Sequence, residues 1–234
     1  MDKKQFIQAI EALKQAPKRK FKQSYEFILN LKELDLKKPE HQIELWVQLP
    51  FDKGKKTKIG AIVGPELGEQ AKANCDVTVM HDDFPRYAAN KKDIKKLARE
   101  YDYFIAQANI MPDIAKTFGR VFGPRGKMPN PKAGCVVPPN ANLKVLAERL
   151  RKTVKVSAKL QPSIKIMVGM EGMPEDHIAE NMNAIYTNVV HKLPQEAANI
   201  RSVLLKLTMS KPVKITEEGV IVKAEPAAKA PEAA

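Results

Sequence analysis

Hydrophobic residues near the N-terminus recur first at helical spacing and then at strand spacing. Phe6, Ile10 and Leu13 share one face of a helix that Pro17 ends. Apolar and polar residues then alternate in two segments, which is the pattern of strands with one buried face. Beyond residue 153 the same hydrophobic pattern returns, and it predicts half-buried strands around one amphipathic helix. The predicted elements are a helix at 2–16, strands at 25–31 and 43–49, two strands at 154–158 and 164–168 across a Gln161-Pro-Ser turn, a helix at 174–191 and a strand at 202–208.

The middle of the chain has a different pattern. Its strands are short, continuous apolar runs, which are typical of strands covered on both faces, and amphipathic helices separate them. This alternation predicts a parallel sheet with helices on both sides. The predicted strands lie at 59–63, 76–80, 103–106 and 135–137, and the predicted helices at 65–73, 91–101, 112–119 and about 143–150.

These two patterns predict a mixed fold, α+β at both ends and α/β in the middle. The economical arrangement is one discontinuous domain, residues 1–54 plus 154–215, with a second domain, residues 55–153, inserted into it. Residues 216–234 are expected to form a disordered tail, because the sequence from Ala224 onward is mostly Ala, Pro and Glu with almost nothing to bury.

Charge is distributed unevenly over these domains. The 234 residues carry a formal net charge of +13, and residues 55–153 alone hold 19 basic and 10 acidic side chains. Such an excess favours polyanionic partners. Two cysteines, Cys75 and Cys135, are too few for a disulfide framework and are expected to be core thiols in a reducing cytosol. With no signal peptide and no membrane-length apolar run, the sequence predicts a cytoplasmic protein without a membrane partner.

The largest group of candidate functional residues is a basic segment in the inserted domain. Residues 116–147 contain six basic and no acidic side chains, and residues 119–134 contain four glycines and three prolines. We interpret 119–134 as an irregular cationic loop that contacts RNA phosphates. The alternative is that the loop only closes the inserted domain and its charges face solvent. Its basic residues are Arg120, Arg125, Lys127 and Lys132.

Catalytic and metal-binding motifs are not found. A phosphate-binding loop would need glycine at Val121 and Ser or Thr at Met128. The four histidines are scattered, and no nucleophile–base pair or carboxylate dyad follows from spacing. The sequence therefore predicts no enzyme activity, no cofactor and no metal site.

The segment Phe122-Gly-Pro-Arg-Gly-Lys-Met-Pro-Asn-Pro-Lys132 closely resembles the signature of the "L-one" family of large-subunit ribosomal proteins, which form the lateral stalk near the exit site. Three further landmarks occur in order: Lys20–Glu26 before an apolar strand, Leu49-Pro50, and Arg201-Ser-Val with Thr208-Met209. The resemblance covers residues 1 to about 215. The Lys-Met after Pro-Arg-Gly and the Lys37-Lys-Pro-Glu turn are more similar to the archaeal branch.

This resemblance implies a split-βαβ domain that holds both termini, with a Rossmann-like parallel-sheet domain inserted. It also implies an rRNA- and mRNA-binding surface, in which hydroxyls bind 2′-OH groups and base edges, a carboxylate accepts from 2′-OH or amino groups, and apolar side chains contact bases. For Phe21 and Met209 the alternative is core packing. Where many relatives have Gly-Pro after Thr-Met, this chain has Ser210-Lys211, and Lys211 is expected to contact phosphate instead. The implied surface residues are Lys20, Phe21, Ser24, Glu26, Thr208, Met209, Ser210 and Lys211.

The function implied by the resemblance is that of a structural, ribosome-associated protein that binds the stalk region of large-subunit rRNA. Exit-site tRNA, whose release the stalk assists, and the protein's own mRNA, whose translation it represses, are the further partners implied, and outside the ribosome a monomer is expected. Two alternatives stay open: a nonspecific nucleic-acid-binding protein, and a nucleotide-dependent enzyme that uses the Rossmann-like domain.

Overall fold

Two units with different sheets make up the chain in a computed structural model that describes residues 3–15, 17, 19–38, 41–216 and 219–222. The terminal unit consists of Met1–Lys55 and Val154–Ala234, and the inserted unit is Lys56–Thr153. In chain order the helices and strands are α1 (Lys3–Lys14), β1 (Ser24–Leu31), β2 (Ile43–Gln48), β3 (Ile59–Val63), α2 (Gly68–Asn74), β4 (Val77–Met80), α3 (Phe84–Ala89), α4 (Lys91–Glu100), β5 (Tyr103–Gln107), α5 (Met111–Phe122), β6 (Val136–Val137), α6 (Leu143–Lys152), β7 (Thr153–Ala158), β8 (Ser163–Met170), α7 (Glu175–Val190), β9 (Ile200–Leu207), β10 (Val213–Thr216) and β11 (Gly219–Val222).

The terminal unit is built on a five-stranded sheet in the order β11-β10-β9-β1-β8. Because β1 is antiparallel to both of its neighbours, β8 and β9 are parallel to each other, and α7 connects them. This is a split βαβ unit with β1 in its centre. The side chains of β1 alternate along the strand, and Tyr25, Phe27, Leu29 and Leu31 are buried in a core that they share with α1 and α7.

The pairing of β7 differs from the simplest interpretation of the sequence. Two strands separated by a Gln161-Pro-Ser turn indicate a hairpin, but β7 pairs with β2 in a separate two-stranded sheet, while β8 pairs with β1. The separate sheet contributes Val47, Val154 and Val156 to the same core as the larger sheet. Burial in that core, which the local pattern does not reveal, decides the partner of β7.

The prediction for the chain end needs a correction. Residues 216–234 were expected to lack structure, yet β10 and β11 form an antiparallel hairpin on the edge of the sheet. Val213 and Ile215 are buried, so this hairpin extends the core. Residues 217–218 and 223–234 lie outside the described residues.

The inserted unit has the predicted parallel sheet, in the order β4-β3-β5-β6. Every residue of β3 is buried, as expected of a strand covered on both faces. The helix α3 was not predicted; its Phe84 packs edge-to-face on Phe118 of α5 at 5.4 Å between ring centroids. The mixed fold class predicted from the sequence is confirmed.

Helix α5 does not end at Gly119 as predicted but continues to Phe122. Phe118 and Phe122 are both buried in the core of the inserted unit, and burying the second ring requires one more helical turn. Gly123 then ends the helix, its N–H bonding to the Gly119 carbonyl at 2.9 Å, because Pro124 cannot extend it. Residues 119–122 are therefore helical, and the irregular loop begins after them.

Candidate nucleic-acid interface

The start of β1 and the end of β9 meet at one end of the terminal unit's sheet. The strands are antiparallel, with Tyr25 opposite Leu207, so the residues before β1 lie beside those after β9. The Thr208 N–H continues the ladder by donating to the Ser24 carbonyl at 3.1 Å. Two sequence segments almost two hundred residues apart thereby form one surface. We call it the β1–β9 surface, and its members are Lys20, Phe21, Ser24, Glu26, Thr208, Met209, Ser210 and Lys211.

Gln23, which sequence reasoning missed, fixes the backbone of this surface. Its side chain is buried, its amide oxygen accepts from the Met209 N–H at 3.1 Å, and its amide nitrogen donates to Glu171 Oε1 at 3.2 Å. The Gln23 N–H donates to Glu171 Oε2 at 2.8 Å, and the Glu171 N–H donates back to the Gln23 carbonyl at 2.9 Å. Gln23 stands two positions before Tyr25, so it continues the buried alternation of β1 with a polar residue. Its partners are distant in sequence, so the local pattern does not reveal its hydrogen bonds.

Phe21 and Met209 are exposed, by 52% and 59% respectively. The alternative that they belong to the core is therefore wrong. They belong to the two segments that meet at this end of the sheet, and apolar side chains grouped on one surface are a feature of interaction sites. The Met209 backbone is fixed by Gln23, so its side chain projects from a defined position.

The hydroxyls of Thr208 and Ser210 are committed to the protein. Thr208 Oγ1 accepts from the Ser24 N–H at 3.1 Å, and Ser210 Oγ accepts from the Leu207 N–H at 2.8 Å. Ser210 Oγ is also within donating distance of the Lys211 carbonyl, 3.1 Å away. The serine thus closes the turn after β9 with its own side chain. Because Ser210 has no positive φ, a glycine is not required there.

Glu26 lies on the outward face of β1, directly opposite Lys206 of β9. The two side chains form an ion pair with 3.4 Å between Lys206 Nζ and Glu26 Oε2. This pairing neutralises the carboxylate without covering it, so its second oxygen stays available to a donor. Lys20 is exposed, and the Ser24 hydroxyl makes no hydrogen bond to the part of the chain that the structure describes.

The basic loop of the inserted unit is partly tied to its own unit. Arg125 donates to the Lys95 carbonyl at 3.2 Å, and Lys127 Nζ donates to the Asp102 carbonyl at 3.1 Å. Arg120 and Lys132 are exposed, Arg120 on the last turn of α5 and Lys132 in the loop. The loop therefore has two cations that are bonded to backbone carbonyls of its own unit and two that are freely exposed.

A second cationic surface, on α4, was missed by sequence reasoning. Its buried side carries Ile94, Leu97 and Ala98, and none of the five basic side chains on its exposed side forms an ion pair with a described residue. The bond from Arg125 to the Lys95 carbonyl joins the basic loop to this helix. The helical spacing of the basic residues was a signal that could have found it. This α4 cationic face consists of Lys91, Lys92, Lys95, Lys96 and Arg99.

The crevice where a Rossmann-like sheet binds nucleotides is filled by protein groups. It lies at the carboxyl ends of β3 and β5, where the strand order reverses. There the Gly64 N–H donates to Gln107 Oε1 at 2.9 Å, and Gln107 Nε2 donates to Glu66 Oε2 at 2.8 Å. The backbone donor that a phosphate would need is therefore already bound, and Glu66 adds a negative charge that repels it.

Other groups in the inserted unit do not form a reaction centre. Burial raises the pKa of the Cys75 and Cys135 thiols to about 11, so neither is a thiolate at neutral pH. The side chain of His81 pairs with Asp113, with 3.3 Å between Nε2 and Oδ2. Within the described ranges no three His, Cys, Asp or Glu side chains are grouped to hold a metal ion. None of the helices in those ranges is long and apolar enough to cross a membrane.

Comparison with known proteins identifies the family. Residues 13–211 match the ribosomal protein L1p/L10e family. This chain belongs to that family. Membership makes it a ribosomal protein and not an enzyme, and its place is the ribosome in the cytoplasm.

Three similar proteins are each named large ribosomal subunit protein uL1. The protein of Methanothermococcus thermolithotrophicus is 42% identical over 216 residues, 92% of this chain and 99% of the relative. That of Methanocaldococcus jannaschii is 39% identical over 219 residues, 93% and 98% of the two chains. That of Nanoarchaeum equitans is 39% identical over 213 residues, 89% and 98%. All three organisms are archaea, which confirms the predicted likeness to the archaeal branch.

Proposed function

We propose that this protein is a structural component of the large ribosomal subunit that binds the stalk region of large-subunit rRNA through its β1–β9 surface. The observation that carries the proposal is the pair of exposed apolar side chains, Phe21 and Met209, beside polar groups on a backbone fixed by Gln23. Sequence-specific RNA recognition needs apolar or aromatic contact with splayed bases and nearby groups that bind base edges and 2′-OH. Ser24 and Glu26 supply such groups without adding electrostatic attraction to the RNA phosphates.

The inserted unit supplies the salt-sensitive part of the attraction. Its α4 cationic face and basic loop carry most of the net charge, and phosphate contacts of this kind position RNA without selecting a sequence. Lys91 and Lys92 stand in the first turn of α4, at the positive end of the helix macrodipole, where cations are unfavourable. A polyanionic partner would offset that cost.

The finer roles concern two further RNAs. Exit-site tRNA meets the cationic groups of the inserted unit, which assists its release. The protein's own mRNA binds the β1–β9 surface through a fold similar to that of the rRNA, and translation is repressed when no rRNA competes. The protein has one specific surface for both RNAs, so rRNA and mRNA cannot bind at the same time. This competition supports the repressor role.

The test is Met209→Ala, with binding to a fragment of the stalk rRNA measured at fixed salt. The expected loss is about 5- to 150-fold, in analogy with base-specific contacts. Leu160→Ala is the matched control, because Leu160 is an apolar side chain of the same unit that is 95% exposed. It should bind as the wild type does.

Two outcomes would contradict the proposal. Equal loss in both variants would mean that exposed apolar area, and not the β1–β9 surface, determines affinity. Equal affinity of the wild type for the stalk fragment and a random duplex at physiological salt would favour a nonspecific nucleic-acid-binding protein. For the repressor role, stalk rRNA should displace the mRNA leader from the wild type, and simultaneous binding of both would contradict it.

A further inference from the structure

A pocket of about 600 Å³ opens beside Phe21 in the terminal unit. It lies between the C-terminal end of α1, the segment before β1 and the turn after β8, where Gly172 has a φ of +95°. Leu13, Tyr25 and Leu207 are buried and supply its floor. Its remaining lining is mostly cationic and comprises Lys14, Arg19, Lys20, Phe21, Lys22, Glu171 and Gly172.

Tyr25 is the polar group aimed into this pocket. The residue is only 3% exposed, yet its hydroxyl is not sealed from the pocket and forms no hydrogen bond with a described residue. A phenol that is almost fully buried normally has a partner. Burial, followed by the nearby charges of Glu171 and Glu175, raises the pKa of Tyr25 to about 12, so the hydroxyl stays a donor throughout the neutral range.

The charges of the rim point to the chemistry of the ligand. Lys14 pairs with Glu175, and Glu171 is held by Gln23. Arg19, Lys20 and Lys22 are exposed, and none of the three forms an ion pair within the described part of the chain. An apolar floor with one inward donor and a cationic rim therefore matches a flat heterocycle that carries phosphates.

We propose that this pocket receives one unstacked base of the bound RNA, whose edge accepts a hydrogen bond from Tyr25 while Arg19, Lys20 and Lys22 hold the adjoining phosphates. Phe21, at the rim, contacts the face of that base or of its neighbour, as aromatic side chains do with single-stranded RNA. This inference rests on the RNA binding proposed above and adds a specific subsite to it.

The test uses the full chain and an rRNA stalk fragment in which one nucleotide at a time is replaced by an abasic one. Tyr25→Phe removes only the hydroxyl and keeps the buried ring, and it should weaken binding of the intact fragment by about 3- to 10-fold. Tyr87→Phe, the same change in the inserted unit, should have no effect.

At one abasic position the affinity of the wild type should fall by about 5- to 100-fold. On that one RNA the wild type and Tyr25→Phe should bind equally, because the hydroxyl has lost its partner. Lys22→Gln should weaken binding of every fragment.

The contradicting results are distinct. If the wild type prefers the stalk fragment but Tyr25→Phe binds it within twofold, or no abasic position removes the difference, the pocket assignment is overturned and the proposed function stands. A wild type without preference for the stalk fragment would overturn both. AMP, GMP, CMP and UMP are titrated separately. Saturable binding of one of them that depends on Tyr25, with RNA affinity unchanged in Tyr25→Phe, would assign the pocket to a free nucleotide and overturn the RNA proposal.

Discussion

At the scale of single residues, the β1–β9 surface combines side chains with two different tasks. Phe21 and Met209 project into solvent and make no contribution to the core, whereas the hydroxyls of Thr208 and Ser210 hold the backbone in place. The sequence could identify these residues as a group by resemblance. It could not separate the two tasks, because the partner of Thr208 is the backbone of Ser24, 184 positions away.

This division predicts that two neighbouring substitutions differ in their effect on stability. Thr208→Ala leaves the Ser24 N–H without its side-chain acceptor, so we expect the free energy of unfolding to fall by about 1–2 kcal/mol. Met209→Ala removes an exposed side chain and should leave it unchanged within about 0.5 kcal/mol. Urea denaturation measures both, with Thr208→Ser as the control that restores the acceptor. Unchanged stability of Thr208→Ala together with weakened RNA binding would show that its hydroxyl serves RNA instead.

At the scale of helices and strands, local pattern predicted most elements but not their ends or their partners. The apolar run of β3 and the alternation along β1 identify buried and half-buried strands directly. Helix α5 extends beyond its predicted end because the extension buries Phe122. Strand β7 pairs with β2 because the two strands are buried in a core formed by residues distant in sequence. Both depend on tertiary contacts, which spacing along one segment does not contain.

The cationic elements of the inserted unit lead to a salt-dependence prediction. Arg125→Ala with Lys127→Ala, and separately Lys92→Gln with Lys96→Gln on α4, should each weaken RNA binding about equally across sequences. Each pair should also reduce the slope of log affinity against log salt by about one to two. The control is Lys37→Gln with Lys38→Gln, which removes the same amount of charge as each of these pairs. Both lysines are exposed and belong to the terminal unit. If Arg125→Ala with Lys127→Ala changes neither the salt slope nor the affinity, the basic loop only closes the inserted unit.

At the scale of the whole molecule, the proposed specific surface and most of the net charge belong to different units. The terminal unit presents the β1–β9 surface, while the inserted unit carries most of the net charge. The two parts of the terminal unit depend on each other, since β1 lies between β8 and β9 and β2 pairs with β7. The sequence predicted the change of pattern at both junctions, but the hairpin of β10 and β11 was missed because its strands are only four residues long.

A shortened chain tests this separation. Residues 1–54 joined through a short linker to 154–222 should fold cooperatively and keep its preference for stalk rRNA over random RNA, with a shallower salt dependence. Ending at 215 instead of 222 should lower stability, because it removes β11 and interrupts β10, whose Val213 and Ile215 are buried. A shortened chain that fails to fold, or that folds and loses all discrimination between the two RNAs, would contradict the separation of roles.

Binding of large-subunit rRNA through the β1–β9 surface is tested most directly by cross-linking the intact protein to RNA in its own cells. The RNA is then sequenced and the cross-linked peptides are identified. We expect one contiguous region of large-subunit rRNA to be the main partner, cross-linked to peptides that contain Phe21 or Met209. Reads spread over many RNAs without enrichment of that region, or cross-links confined to the α4 cationic face and the basic loop, would contradict it.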